Sequence, residues 1–188
     1  MKISEPRRPL PRRAVLGLAF FAASALAADT WPQAAGLRAP NVVPISERLV
    51  TSGQPTADSL ARLGASGFGA VIYLAPSTVP DAVRDEERIV RAQGLEYVNI
   101  PIRFNSPSDA DFRSFVEAMD RFRDRKVLVH CQVNMRASSM TFLYRVIVGG
   151  ENPERAYESV ARVWSPEGPW KRLIVAELRK AGIAFEPY

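Results

Sequence analysis

The only histidine and the only cysteine of this 188-residue chain are adjacent, as His130 and Cys131, and Arg136 follows after four further residues. An apolar run precedes the pair and a long apolar segment follows the arginine, which predicts a strand, a tight loop and a helix. Loop N–H groups and the positive end of a helix attract anions and favour the thiolate form of a cysteine. An arginine can bind two oxygens of a phosphate. These residues therefore predict covalent chemistry on an anionic group.

Two segments of the chain resemble one known group of enzymes. The segment from His130 to Arg136 resembles the catalytic loop of cysteine-dependent phosphatases, the tyrosine and dual-specificity phosphatase superfamily. Residues 48–55, which end in the sequence Ser-Gly-Gln-Pro, are similar to a segment of small phosphatase-like proteins of that superfamily. The bacterial group related to the beta-lactamase-hydrolase-associated domain matches this combination best.

The resemblance implies a protein-tyrosine-phosphatase-like fold and a hydrolase that cleaves phosphate monoesters without a metal or an organic cofactor. It implies that Cys131 attacks phosphorus and forms a phosphocysteine, and that Arg136 binds the phosphoryl oxygens. The backbone of the residues between them would bind phosphate as well, namely Gln132, Val133, Asn134 and Met135.

The loop departs from the family pattern in three ways. Four residues separate Cys131 from Arg136, where the family has five, and Ala137 replaces the usual Ser or Thr, with Ser138 one step later. Asn134 replaces a glycine; because Asn tolerates left-handed backbone best after Gly, we predict that conformation for it. Rhodanese-type sulfurtransferases also have a short cysteine loop, so persulfide transfer is an alternative function. A phosphate-binding pseudophosphatase is a third possibility.

Phosphate-ester cleavage also benefits from an acid that protonates the leaving oxygen. In the resembled family this acid is an aspartate on the loop before the helix that precedes the catalytic strand. The corresponding loop here, residues 104–111, contains Asp109 and Asp111. Ser108 and Asp111 also match a capping box, and acids are favoured in the first turn of any helix. Asp109 is therefore the preferred candidate for the proton donor.

His130 is not expected to act as the general base, because neighbouring residues on a strand point to opposite faces. We expect it to hold the loop by hydrogen bonds, and Ser138 is a second candidate for such a supporting role. One His and one Cys cannot form a usual zinc site. The chain also lacks the glycine-rich motifs of nucleotide-binding proteins, so no cofactor is predicted.

The elements that position these residues follow from the hydrophobic pattern. Apolar runs predict strands over residues 48–52, 70–74, 97–102 and 127–130. Helical patterns alternate with these strands, over residues 56–63, 80–92, 112–122 and 137–148, from Pro153 onward, and over 170–181. The alternation predicts a single α/β domain with a mainly parallel central sheet and helices on both faces.

The first residues predict export. Four arginines precede an apolar run over residues 14–27, which ends in Ala25-Leu26-Ala27, a small-x-small cleavage site. Residues 1–27 are therefore predicted to be a signal peptide, cleaved near Ala27, and the protein to be periplasmic or secreted. Arg12 and Arg13 fit a twin-arginine signal as well as the ordinary secretory (Sec) route. The run is too short to cross a bilayer comfortably, so no stable membrane span is predicted for the mature protein.

The remaining chain divides into an irregular lead-in over residues 28–44 and a phosphatase-like domain over residues 45–188. The whole chain has a formal net charge of +5. Without the predicted signal peptide it has twenty basic and nineteen acidic residues. The charge argument for a nucleic-acid partner therefore fails, and the expected partner is a phosphorylated substrate of unknown class.

Overall fold

The computed structural model describes Met1 and residues 36–188. The predicted signal peptide, apart from Met1, and the first part of the predicted lead-in lie outside the described residues. From residue 36 onward the described residues belong to one compact unit.

Five short strands form one sheet within the described residues. They are β1 (Val43–Ser46), β2 (Leu49–Ser52), β3 (Ala70–Tyr73), β4 (Glu96–Asn99) and β5 (Val127–His130). Their order in the sheet is β1-β2-β5-β3-β4, and all neighbouring pairs are parallel except β1 with β2. Every residue of β3 and β5 is buried, which explains their continuous apolar sequence. The predicted mainly parallel α/β architecture is confirmed.

Six α-helices flank this sheet in the described part of the chain. They are α1 (Ala57–Leu60), α2 (Glu86–Arg91), α3 (Asp109–Arg121), α4 (Met135–Leu143), α5 (Pro153–Ala161) and α6 (Gly168–Lys180). The buried helix α4 packs against β2 and β5 and contacts both α5 and α6. Ser108 and Asp111 form the predicted capping box of α3, and Asn152 caps α5, which begins at Pro153 as predicted. None of the described helices is both long enough and apolar enough to cross a membrane.

Several predicted boundaries differ from the structure; the strand predicted over residues 97–102, for example, ends at Asn99. The helix predicted over residues 80–92 begins only at Glu86, because the preceding residues form hydrogen-bonded turns and Asp85 is left-handed, with φ 59°. Residues 74–85 are therefore a loop at the carboxyl end of β3. The short strand β1 was not predicted and begins inside the predicted lead-in. Helix α4 ends at Leu143, and a π-helical turn, Tyr144–Val148, continues it.

Candidate active site

The cysteine loop, residues 131–136, lies at the carboxyl end of the central strand β5. The neighbouring strands hold both sides of its first residues: Cys131 donates its backbone N–H to Ser52 O (3.2 Å), and Leu74 N–H donates to His130 O (2.8 Å). Ligand sites of open α/β sheets lie at this edge. The loop runs directly into α4, as the sequence predicted.

Asn134 closes the cysteine loop in the left-handed conformation, with φ 73° and ψ −3°. This confirms the backbone conformation predicted from the Gly-to-Asn replacement. Its buried side chain donates from Nδ2 to Asn41 O (2.6 Å) and to Thr51 Oγ1 (3.1 Å). A glycine could adopt the same backbone but could make neither contact, so Asn134 also fastens the loop to its surroundings.

The 52–55 segment supports the loop from outside. Gln54 N–H donates to Gln132 O (2.9 Å), and Gly53 N–H donates to Pro40 O (2.7 Å). A Cβ atom on Gly53 would lie 2.6 Å from Gln132 O, so this close approach requires glycine. The Asn41 side chain adds a hydrogen bond to Val133 O (3.0 Å). The irregular chain before β1 thus contacts the loop.

The inner side of the loop offers N–H donors. The backbone amides of Gln132, Val133, Met135 and Arg136 donate to no acceptor among the described residues. Gln132 O points outward to Gln54, and a planar trans peptide therefore directs the N–H of Val133 to the opposite side. Unpaired amides at a helix start are suitable donors for an anion.

Arg136 is 5% exposed and does not point to solvent. Its Nε donates to Ile102 O (3.0 Å), its Nη1 donates to Gln132 Oε1 (3.4 Å), and its guanidinium lies 5.1 Å from the centre of the Phe104 ring. Phe104 is itself fixed, because its carbonyl accepts a hydrogen bond from Trp170 Nε1 (2.8 Å). The guanidinium is therefore held in one orientation, with donors left over for an anion.

Cys131 is fully buried at the start of the loop. Tyr73 lies next to this site, because its ring stacks on that of His130 with ring centres 4.7 Å apart. The pKa of Tyr73 therefore responds to the charged groups of the site. Burial raises the pKa of Tyr73, and the nearby groups Glu86, Asp81 and Cys131 raise it further, whereas Arg136 lowers it. The thiol, the guanidinium and two carboxyl groups therefore all act electrostatically on one phenol.

His130 contacts a carboxylate, as a supporting residue would. Its Nε2 lies 2.7 Å from Glu86 Oε1, and Gln54 Nε2 donates to Glu86 Oε2 (2.6 Å). All three side chains are buried. The Gln54–Glu86–His130 network therefore joins the 52–55 segment, α2 and the central strand directly below the loop. Sequence reasoning missed Glu86, because one acid among the many charges of a predicted surface helix carries no signal of burial.

The two predicted proton donors have other partners. Asp109 forms ion pairs with Arg113 and with Lys180, whose Nζ lies 2.7 Å from Asp109 Oδ1. Asp111 Oδ2 accepts from the backbone N–H of Ser108 (2.8 Å) and from its hydroxyl (2.7 Å). Neither carboxylate forms a hydrogen bond or an ion pair with the cysteine loop. Both instead stabilise the start of α3.

Ser138 and Asp81 both contact residues of the cysteine loop. The Ser138 hydroxyl donates to Met135 O (3.2 Å) inside α4. Asp81, assigned by sequence to a helix, instead accepts a hydrogen bond at Oδ1 from Gln132 Nε2 (2.7 Å). The sequence signal that could have located Asp81 at the site is its position after β3, because residues that follow β3 reach the same sheet edge as residues that follow β5.

This sheet, with a cysteine-to-arginine loop at the end of its central strand, defines the class of tyrosine and dual-specificity phosphatase folds. A family model described as "DSP-PTPase phosphatase fused to NAD+ Kinase" matches residues 42–171. The chain therefore belongs to this DSP-PTPase family, which confirms the superfamily that the sequence suggested.

Curated relatives and solved structures agree with this assignment. The chain is 33% identical over 111 residues to a beta-lactamase hydrolase-like protein from Xylella fastidiosa (strain Temecula1), covering 57% of this chain and 26% of that protein. It thus spans about a quarter of the length of that relative. A DUF442 protein from Shewanella putrefaciens CN-32 has a TM-score of 0.70 and 31% identity, covering 76% of this chain and 91% of that chain. Tk-PTP, at 24% identity and a TM-score of 0.58, covers 76% of this chain and 96% of its own, and shares the fold.

Proposed function

We propose that this protein is a phosphatase that hydrolyses phosphate monoesters through a phosphocysteine. The observation that carries the proposal is the cysteine loop itself. It begins with a thiol at Cys131, ends with the buried and oriented Arg136, and leaves N–H groups unpaired between them. The substrates we propose are phosphorylated side chains of the tyrosine or dual-specificity type.

The arrangement supports a two-step displacement. The Cys131 sulfur attacks phosphorus, so that an S–P bond forms while the bond to the leaving oxygen breaks. Loop N–H groups and the Arg136 guanidinium stabilise the negative charge on the equatorial oxygens. Water then attacks phosphorus, which releases inorganic phosphate and regenerates the thiolate.

Sulfur transfer is the second candidate, favoured by the four-residue spacing between Cys131 and Arg136. A persulfide on Cys131 would need no proton donor for a leaving oxygen. The purified protein should be assayed with an aryl phosphate and, separately, with thiosulfate plus cyanide. Release of phosphate supports our proposal, whereas thiocyanate formation without phosphate release contradicts it. Phosphate binding without either turnover would indicate a pseudophosphatase.

The nucleophile can be tested at a single atom. Cys131→Ser keeps the size of the side chain but replaces the thiol by a weakly nucleophilic hydroxyl, so phosphate release should be abolished while the melting temperature stays near that of the wild type. Alkylation of the wild type with iodoacetate is a matched check, because the chain has no other cysteine. Undiminished turnover by a folded Cys131→Ser protein would exclude the phosphocysteine.

On the basis of the predicted signal peptide, we also propose that the protein acts outside the cytoplasm. Cell fractionation and N-terminal sequencing of the purified protein should find a periplasmic or secreted form that begins near Ala28. Replacing both Arg12 and Arg13 by Lys should block export by the twin-arginine route and leave Sec export nearly unchanged. A cytoplasmic protein that retains its first residues would contradict the proposal.

A further inference from the structure

We propose that Asp81, on the loop after β3, is the acid that protonates the leaving oxygen. This inference rests on the proposed phosphatase function. It assigns the proton donor to a different loop from the one that contains Asp109 and Asp111.

The first argument is position. Strands β3 and β5 are adjacent and parallel, so the loops after them open at the same edge of the sheet. Asp81 is exposed, and its Oδ1 accepts a hydrogen bond from Gln132 Nε2 (2.7 Å). The other end of that side-chain amide, Gln132 Oε1, accepts from Arg136 Nη1 (3.4 Å). One side chain therefore connects the Asp81 carboxyl to the guanidinium that would bind phosphate.

The second argument is the set of partners around each acid. No Lys, Arg or His of the described residues forms an ion pair with Asp81, and the hydrogen bond from Gln132 occupies only its Oδ1. Its second oxygen is therefore available to carry a proton. Asp111 accepts its hydrogen bonds from Ser108 in the capping box of α3 and has no contact with the cysteine loop, whereas Asp81 contacts Gln132 of that loop. Asp109 has two cationic partners. Cations next to a carboxyl group favour its ionised form, which cannot donate a proton.

The third argument comes from Tyr73. The pKa of its phenol is raised chiefly by burial and then by Glu86, by Asp81 and by Cys131. Asp81 and the thiol therefore act on the same ring from the carboxyl edge of the sheet. Glu86 also acts on this ring, but it is buried and bound to Gln54 and His130. Of the two carboxyl groups, only Asp81 is accessible to a substrate.

The proton balance of the reaction follows from this position. In the first step the protonated Asp81 gives its proton to the oxygen that leaves phosphorus, so an alcohol or phenol departs and Cys131 carries the phosphoryl group. In the second step the Asp81 carboxylate takes a proton from the attacking water. The new oxygen bonds to phosphorus, the S–P bond breaks, and phosphate and the thiolate are released. Asp81 is then protonated again for the next cycle.

Asp81→Asn is the decisive variant, because the Asn carbonyl oxygen can still accept the hydrogen bond from Gln132 while the titratable proton is lost. We expect kcat/KM to fall by ~100-fold or more for aryl phosphates whose phenols are weakly acidic. The loss should be below ~10-fold for strongly acidic phenols, which leave without protonation.

Asp85→Asn is the matched control, since Asp85 is an exposed acid near the end of the same loop; its kinetics should equal those of the wild type. Asp109→Asn and Asp111→Asn should keep the wild-type dependence on leaving-group acidity. If the wild type releases phosphate but Asp81→Asn shows the same dependence of kcat/KM on leaving-group acidity as the wild type, the assignment of Asp81 is wrong and the phosphatase function stands. If Asp109→Asn or Asp111→Asn instead loses the wild-type dependence on leaving-group acidity, the substituted residue is the proton donor. A wild type without phosphatase activity would overturn both proposals.

Discussion

At the scale of single residues, the Arg136 side chain is oriented by one hydrogen bond and contacts the cysteine loop through another. Its Nε bond to the carbonyl of Ile102 fixes the plane of the guanidinium, and its Nη1 donates to the side chain of Gln132. A lysine has the same charge but lacks a planar fork and cannot make both contacts. The orientation of the group, more than its charge, therefore sets its value for binding phosphate.

We expect Arg136→Lys to lower kcat/KM for an aryl phosphate by ~100-fold or more, the size of effect seen when one oxyanion donor is removed. Steady-state kinetics on the purified variant measure this loss. Arg103→Lys is the control, because Arg103 is exposed and lies one residue beyond the Ile102 carbonyl. Nearly unchanged kinetics for Arg136→Lys would mean that a positive charge alone suffices.

At the scale of elements, the 52–55 segment and the cysteine loop form one unit. Gly53 lies so close to the loop backbone that an added Cβ would lie 2.6 Å from Gln132 O and 2.8 Å from the Cβ of Pro40. Neither neighbour is the flexible end of a side chain, so an added methyl group must displace backbone. The loop and the chain before β1 would have to move apart.

Gly53→Ala should therefore destabilise the fold by about 1–3 kcal/mol, the usual cost of overpacking, and should also lower kcat. Urea unfolding and phosphatase kinetics together measure the two effects. Gly69→Ala is the comparison, because its nearest contact would be the Cβ of Arg125 at 3.2 Å, and its three nearest neighbours include no backbone atom. Equal behaviour of the two variants would show that the 52–55 segment does not determine the loop geometry.

The elements also show where the sequence was informative. Strand β5, helix α3 and the cap of α5 carry strong local signals, namely a buried apolar run, a capping box and an Asn-Pro start. The loop over residues 74–85 carries a misleading signal, since Pro80 and the charges after it suit a helix start. The hydrogen bond between Asp81 and Gln132 joins residues 51 positions apart, and local patterns do not contain such a contact.

At the scale of the whole molecule, the Gln54–Glu86–His130 network links three parts of the chain in the interior. Glu86 accepts from Gln54 at one oxygen and contacts His130 at the other. The mainly parallel sheet followed from the alternation of strands and helices, but this network did not, because its members lie far apart in the sequence. The lead-in shows the same limit, since its irregular composition hid the contacts of Pro40 and Asn41 with the site.

Glu86→Ala should destabilise the protein by about 2–4 kcal/mol, because it leaves two buried polar side chains without their partner. The midpoint of urea unfolding measures the change. Glu87→Ala removes a neighbouring carboxylate that is exposed and pairs with Arg91, so its effect should stay within about 0.5 kcal/mol. Similar midpoints for the two variants would show that the network contributes little to stability.

The central position of β5 has a consequence for isotope exchange in heavy water. Its backbone is hydrogen-bonded to β2 on one side and to β3 on the other, so its amide hydrogens should exchange only when the whole domain unfolds. The unpaired amides of Gln132 and Val133, only a few residues away, should exchange far sooner. An oxyanion such as vanadate bound in the loop would slow the exchange of the Gln132 and Val133 amides. It would slow the exchange of the β5 amides only to the extent that it stabilises the whole fold. Mass spectrometry of deuterium uptake could therefore detect an occupied loop without any turnover.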